Sequence, residues 1–312
     1  MESFEGFRVL VTGATGFIGS RLVERLLASS GAVSVTSLVR PPAAAKAHIG
    51  GRAEAVVGDL TDKTSLKFNG KYDHVYHLAS LTPLERKKER LRAVNYEGTR
   101  NLFDSIKDKA DSFVYVSGLA AFSPTGGADG VIDENSPKNP GLDFVKIRLQ
   151  AEQFLRESCK AAGIDFTVVY FPDIVYGNGG YFTSVFLEPI SKGKFRIPGS
   201  GNYFKNFIHR DDATDILITI AEKAATNQSY IATDCYPAPF AEFVNFIADQ
   251  LGAKHPGSAP ALLAKMAVGS EVIEMLTTSN RASNEKIRKI YEFKYPSYRE
   301  GIPEVVSEFK SG

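Results

Sequence analysis

Cysteine is scarce in this sequence: Cys159 and Cys235 are the only two among 312 residues, and they stand far apart. A disulfide framework and a closely spaced cysteine pair for metal or redox work are therefore excluded. An excess of one charge is also missing, with 37 Lys and Arg set against 36 Asp and Glu. No strong net field exists to hold nucleic acid or an anionic membrane, and neither is expected as a partner. No stretch approaches about 18 consecutive apolar residues, and the first residues lack the charged, apolar and small-residue succession of a secretory leader. A cytoplasmic protein is the expectation, with a homodimer as the default assembly. What the chain does contain is core-forming material, 43% apolar against 23% charged, the balance of an ordinary globular protein.

The order of the apolar runs defines a fold class. Residues 7–12 form a short apolar run that stops at a glycine-rich turn, and 17–28 then show helical spacing through Phe17, Ile18, Leu22, Leu26 and Leu27. Further strands are expected over 32–39, 53–57, 73–78, 112–117 and 165–171, with helices over 95–107 and 144–162 between the later ones. A parallel crossover needs a connection of helix length, so this alternation implies a Rossmann-type, doubly wound parallel sheet of the α/β class. After Phe171 the rhythm changes to Gly and Pro punctuation, with helices expected at 211–223, 239–251, 284–291 and 298–310. The expected division is a Rossmann-type domain over 1–171 and a smaller, mostly helical lobe over 172–312, some of whose segments return to the first domain.

The first turn carries the chemistry. Thr12-Gly13-Ala14-Thr15-Gly16-Phe17-Ile18-Gly19 sets glycines three residues apart between a strand and a helix. In that context the first glycine permits a tight turn, the second lets pyrophosphate oxygens approach the backbone, and the third lets the helix pack closely on the sheet. The helix N terminus adds free N–H groups and a partial positive charge. A branched side chain at Gly13 or Gly16 is expected to block the cofactor while leaving the chain folded.

With this loop go Gly58-Asp59-Leu60, His77-Leu78-Ala79-Ser80, Asn95-Tyr96-Glu97-Gly98-Thr99, Tyr115-Val116-Ser117, Val175-Tyr176-Gly177, Phe207-Ile208-His209-Arg210-Asp211-Asp212 and Tyr295-Pro296-Ser297-Tyr298-Arg299-Glu300-Gly301. On these residues the chain resembles an extended short-chain dehydrogenase/reductase of the NAD(P)-dependent epimerase/dehydratase group over nearly its whole length. The resemblance implies that Asp59 and Leu60 border the adenine, that Leu78, Ala79 and Ser80 lie along the cofactor, and that Pro172 to Ile174 sit by the nicotinamide. Arg40 ends the second strand with no acidic residue beside it. An acid there selects NAD through the ribose hydroxyl, whereas an arginine suits the 2′-phosphate, so NADP(H) is the expected cofactor.

The resemblance also exposes a gap. In the family, a Tyr-x-x-x-Lys pair on the helix after Ser117 supplies the proton donor and a ribose-binding ammonium. Alignment on Ala151-Glu152 puts Phe144 where the tyrosine belongs and Arg148 where the lysine belongs. Phe144 has no ionisable proton and cannot be a general acid. Arg148 keeps a permanent charge and a fork of donors and can still hold ribose hydroxyls. Ser117 remains available to bond a substrate oxygen, and Tyr176, Tyr181, Tyr203, Ser80, Thr82 and Ser123 are alternative donors. His74 and His77, three apart on a strand, point to opposite faces and cannot share a metal; no metal site is expected. His209, Asp211 and Asp212 are read as the start of a helix, and the mixed charges of 85–92 as a solvated face.

Three functions compete at this level. The first is an NADP-dependent oxidoreductase with a non-standard proton donor, acting on a small carbonyl or conjugated substrate. The second is a non-catalytic NADP-binding sensor or scaffold. The third is a sugar-nucleotide epimerase or dehydratase, against which the missing tyrosine counts.

Overall fold

In a computed structural model, residues 6–29, 33–40, 53–124, 130–139, 141–223 and 225–312 are described. They divide into two compact units. The first comprises residues 1–117, 140–170 and 214–230, and the second 118–139, 171–213 and 231–312.

The first unit is built on β1 (Arg8–Thr12), β2 (Ser34–Val39), β3 (Glu54–Val57), β4 (Tyr72–His77), β5 (Ala110–Gly118) and β6 (Asp165–Phe171). With β7 (Ile174–Tyr176) and β8 (Phe207–His209) following in the chain, a ninth strand, β9 (Ser229–Ile231), completes a seven-stranded sheet of order β9-β6-β5-β4-β1-β2-β3. Pairing is parallel from β3 through β2, β1 and β4 to β5. β1 is an interior strand between β4 and β2, and Val9, Leu10 and Val11 are fully buried, which explains why it reads as an unbroken apolar run rather than an alternating one. The edge strand β9 was not expected from the sequence; three residues carry too little periodicity to register. Residue 32, where the second strand is expected to begin, lies outside the described residues.

Helices α1 (Phe17–Ala28), α2 (Gly98–Ile106) and α3 (Asp143–Ala162) match the expected positions. α1 buries Leu22, Val23 and Leu26, three residues of its apolar stripe. α3 stops at Gly163, whose φ of +70° gives the left-handed C-terminal cap that glycine adopts without strain. The expected 95–107 helix differs at its start, where Ala93–Glu97 form a π-helical turn before α2 begins. Lys88–Arg92 form a short exposed helix paired through Lys88–Asp143 and Arg90–Glu85, in keeping with a solvated charged face. α4 (Arg210–Glu222) follows β8, and in the first unit Leu217 of this helix accepts a hydrogen bond from the buried Tyr76 hydroxyl.

In the second unit β7 pairs in parallel with β8. Its core is aromatic: Phe207 stacks on Phe243 with ring centroids 4.3 Å apart, and Tyr298 meets both rings edge-on. Helices α5 (Phe240–Leu251), α6 (Ala261–Val268), α7 (Ser270–Thr277) and α8 (Tyr298–Ser311) belong here. α8 opens with a capping box between Ser297 and Glu300. The expected helix over 284–291 is reduced to Glu285–Arg288. α6 and α7 were missed from sequence because each has only eight residues, too short a stretch for periodicity to mark; the apolar face of α6, with Leu262, Leu263 and Met266, is exposed rather than turned to a core.

The start of α4 bears out the structural reading of its motif. The Asp211 amide donates to His209 Nδ1 at 3.1 Å. Asp212, fully buried, accepts from the Tyr291 hydroxyl and from the Lys294 and Tyr295 amides at 2.6, 2.8 and 3.0 Å. One carboxylate thus ties the 291–295 segment to a helix N terminus. Asp212→Ala leaves three donors unsatisfied, and a loss of about 2–4 kcal/mol in urea unfolding is expected; Tyr291→Phe, which removes one donor, should cost about 1 kcal/mol. A change below about 0.5 kcal/mol for Asp212→Ala would show that this tie is not structural.

Candidate functional site

Strand order in the first unit reverses between β1 and β4, since β2 and β3 lie to one side and β5 and β6 to the other. Ligands of doubly wound sheets bind beyond the C-terminal ends of strands at such a reversal. Here those ends are Thr12-Gly13 and His77-Leu78.

The three glycines of the β1–α1 turn have different surroundings. Gly13 has φ +72°, and a Cβ on it would come within 2.8 Å of the Ala79 backbone nitrogen. A side chain at Gly19 would meet the Gly13 carbonyl oxygen at 2.1 Å. The third glycine therefore packs helix α1 on the turn itself, not on a strand. At Gly16, φ is −80° and the sole close neighbour of an added Cβ is the Gly13 carbonyl oxygen at 3.1 Å. This corrects one expectation. A branched residue at Gly13 would disturb the fold, and Gly16 is the position where the backbone itself tolerates a side chain. Thr15 and Gly16 are exposed, Phe17 and Ile18 half-buried, and Ala14 buried. No side chain caps the α1 N terminus and its first turn holds no acid, so its partial positive charge is uncompensated by the helix's own residues. That is an arrangement suited to a phosphate group.

Beneath this turn lies a chain of hydrogen bonds whose direction can be worked out. Thr99 Oγ1 donates to the Asn95 carbonyl at 2.9 Å, so toward His77 Nε2, at 2.9 Å, it must accept. His77 therefore carries its proton on Nε2 and accepts at Nδ1 from Thr12 Oγ1 at 2.7 Å. Thr12 Oγ1 in turn accepts from the Ala79 amide at 3.2 Å. The relay runs one way and requires a neutral imidazole. Burial, reinforced by the Arg148 charge, holds the His77 pKa down at about 3. Both ring nitrogens are thus occupied by threonines, which fits the structural role expected for this residue. Among the described residues no group of His, Cys, Asp and Glu has the makings of a metal site.

A second network continues from the same helix. Asn95, 2% exposed on the π-helical turn, accepts from the Leu81 amide at 2.8 Å and donates to the Leu81 carbonyl at 2.9 Å. This fixes the loop after β4, whose Leu78, Ala79 and Ser80 are half-buried. Ser80 Oγ accepts a hydrogen bond from Arg148, whose other terminal nitrogen donates to the Val116 carbonyl in β5. The guanidinium lies 5.4 Å from the Tyr115 ring centroid and 5.8 Å from that of Phe144, one helical turn before it on α3. Phe144 and Arg148 thus share a face of α3 and lie by the C-terminal ends of β4 and β5. Ser117, buried two residues beyond Tyr115, has no side-chain hydrogen-bond partner among the described residues.

At the outer end of the sheet, Arg40 is exposed after β2 and Asp59 half-buried after β3. Burial pushes the Asp59 carboxyl up, but hydrogen bonds from the Thr61 amide and hydroxyl, with the Arg40 charge, bring it below its ordinary value. Leu60 is buried, and a Cβ on Gly98 would come within 2.8 Å of its Cβ. Pro172 and Ile174 belong to the second unit and are both buried. The candidate replacement tyrosines also lie there, and each donates to a backbone carbonyl: Tyr176 to Ser297, Tyr181 to Val175 and Tyr203 to Pro198. Burial raises all three pKa values. Sequence reasoning did not single out Asn95 for its part in placing Ser80; its position on a motif turn was visible, its contact with Leu81 was not.

A nucleotide-binding α/β protein with its ligand end at the β1–β4 reversal is the class this fold defines. The chain belongs to the NAD dependent epimerase/dehydratase family, whose model matches residues 9–232. It is 31% identical to a 3-diazoavenalumate denitrifying reductase from a Streptomyces species, covering 95% of this chain and 99% of that one. It is 29% identical to a 3-beta-hydroxysteroid dehydrogenase from Mycolicibacterium neoaurum, covering 80% and 71%. A solved structure of the human epimerase family protein SDR39U1 (isoform 2) with NADPH superposes with a TM-score of 0.80 at 23% identity, over 96% of this chain and 99% of that one. A UDP-glucose 4-epimerase from Thermus thermophilus with NAD has the same TM-score at 20% identity, over 98% and 99%. No helix among the described residues is long and apolar enough to cross a membrane.

The His77 relay has a measurable consequence. A folded pKa of about 3 against the ordinary histidine value of 6.5 means that the unfolded chain binds the extra proton first as pH falls. Stability from this group is complete above about pH 6.5 and is lost toward pH 3, about 2 kcal/mol of it by pH 5. In NMR the His77 ring should keep its proton on Nε2 and show no titration between pH 5 and 8. A midpoint near 6.5 would break the assignment.

Proposed function

We propose that the protein is an NADPH-dependent reductase that acts on a small organic carbonyl or conjugated acceptor without a tyrosine proton from position 144. The observation that carries this reading is the Arg148 clamp: a guanidinium fixed by Ser80 and Val116 beside Phe144, at the helix positions where the resemblance puts lysine and tyrosine. When bound, reduced nicotinamide supplies a hydride to such an acceptor.

The protein's own contribution divides by position. The open Gly16 turn and the uncapped α1 N terminus would hold the pyrophosphate. Arg40 would pair with the 2′-phosphate, with Asp59 and Leu60 bordering the adenine. Arg148 would hold the nicotinamide ribose hydroxyls through donors left over from its contacts with Ser80 and Val116. Leu78, Ala79 and Ser80 would lie along the cofactor, Pro172 and Ile174 by the nicotinamide ring, and Ser117 would bond an acceptor oxygen. No proton is available from Phe144, and the hydroxyls of Tyr176, Tyr181 and Tyr203 are engaged with backbone carbonyls.

This restricts the substrate. An acceptor reduced at a conjugated double bond is protonated at carbon, away from position 144. An aryl diazonium cation takes a hydride at carbon as dinitrogen departs, and that balance needs no proton; the name of the Streptomyces relative, a reductase that denitrifies a diazo compound, supports an acceptor of this kind. Conventional epimerisation, by contrast, moves a proton at a sugar hydroxyl. The UDP-sugar epimerases among the structural neighbours share the fold at 20% identity or below, which does not extend to their substrates.

The test is oxidation of NADPH by the purified protein across ketones, enones and aryl diazonium salts. Turnover is expected with an acceptor of the last two kinds; tight NADPH binding with none turned over would favour a cofactor sensor instead. With the best acceptor, Phe144→Tyr combined with Arg148→Lys is expected not to raise turnover, and a gain of tenfold or more would mark a carbonyl reductase that has lost its relay. In titration, NADP(H) should bind at least tenfold more tightly than NAD(H), and Arg40→Ala should remove about 1.5–3 kcal/mol of that binding. Equal affinities in the unaltered protein would defeat the assignment of Arg40.

A further inference from the structure

Lys205 is the least expected charged residue of the second unit. Its side chain is 1% exposed and that of its partner Asp173 is 7% exposed. The ammonium has three donors and three acceptors: Asp173 Oδ2, the Met275 carbonyl at 3.0 Å and the Thr278 carbonyl at 3.2 Å. The two carbonyls lie at the C-terminal end of α7, a helix with no basic residue in its last turn. Lys205 supplies from outside the cation that this end of a helix favours.

The join between these segments does not depend on the ion pair. The Phe204 amide donates to Ser279 Oγ at 3.0 Å and the Asn280 amide to the Phe204 carbonyl at 3.1 Å. Asn206 donates to Asn280 Oδ1 at 2.7 Å and accepts from the Ala282 amide at 2.9 Å. With a longer bond from Asn206 to the Asn280 carbonyl at 3.4 Å, residues 204–206 are therefore fastened to 279–282 by five hydrogen bonds without Lys205's charge. What the pair adds is a fixed place for Asp173. That residue lies in the two-residue link between β6, ending at Phe171, and β7, starting at Ile174. Ile174 is held from the other side by its register with Phe207. A buried ion pair is commonly no more stabilising than apolar residues of the same volume, so stability alone does not account for it.

We infer that Lys205 and Asp173 are positioning residues that fix the Pro172–Ile174 link to the end of α7 and thereby set the seat of the nicotinamide ring. The inference rests on the proposed function, in which Pro172 and Ile174 sit by that ring. Neither residue touches cofactor or substrate; Asp173 acts through its two neighbours, and Lys205 acts through Asp173.

The test uses the full chain with NADPH. Lys205→Met combined with Asp173→Asn removes both charges and keeps the volumes, and Asp173→Asn alone keeps an acceptor beside the ammonium. For the double variant the expected result is a cooperative melt, NADPH affinity within about threefold of the unaltered protein, a shift of the bound reduced nicotinamide's emission toward that of free NADPH, and a tenfold or larger fall in kcat. Asp173→Asn should move the same two quantities in the same direction by a smaller factor, and it serves as the test if the double variant does not fold. Unchanged emission and unchanged kcat in a folded variant would overturn the inference. If the unaltered protein bound no NADPH, the proposed function would fall instead; the emission readout, which needs binding but no turnover, keeps the two failures apart.

Discussion

A neutral His77 governs the arrangement at the sheet's reversal point. The imidazole joins the last residue of β1, through Thr12, to α2, through Thr99, and Thr12 in turn receives the Ala79 amide. The loop after β4 is therefore drawn against the β1–α1 turn closely enough that no side chain fits on Gly13. A charged imidazole would have two donors and no acceptor, and the Thr12 hydroxyl could no longer donate into it.

Two cations are withdrawn from bulk solvent, in different ways. Arg148 is half-buried and meets neutral partners, a hydroxyl and a carbonyl, with aromatic rings nearby. Its charge has no carboxylate partner among the described residues and remains available to a ligand. Lys205 is enclosed, with a carboxylate and two helix-end carbonyls matching its three N–H groups, and has no donor to offer a ligand. The contrast separates a residue suited to binding from one suited to holding the backbone. Planar guanidinium tolerates partial burial beside rings, whereas an ammonium, more strongly hydrated, needs full replacement of its water.

The exposed face of α6 is of a third kind. Leu262, Leu263 and Met266 are 69%, 58% and 72% exposed, and a helix this short has little stability of its own. It is continued by α7, which Lys205 caps, so its place in the second unit depends on α7 and on the ladder formed by Ser258 and Ala259 with Ile197 and Pro198.

The sequence by itself determined the parallel sheet and the glycine turn, because each of these is a local pattern: a strand's apolar run, a three-residue glycine spacing. Helix α1 could be delimited to the residue for that reason. Tertiary structure alone decided the direction of the His77 relay, the anchoring of Ser80 by Asn95, the commitment of Tyr176, Tyr181 and Tyr203 to backbone carbonyls, and the burial of Lys205. These depend on partners brought together by folding. Asp173 and Lys205 are 32 positions apart, and Thr12 and His77 are 65 apart. No periodicity along the chain encodes such a meeting, and a lysine read alone is expected in water.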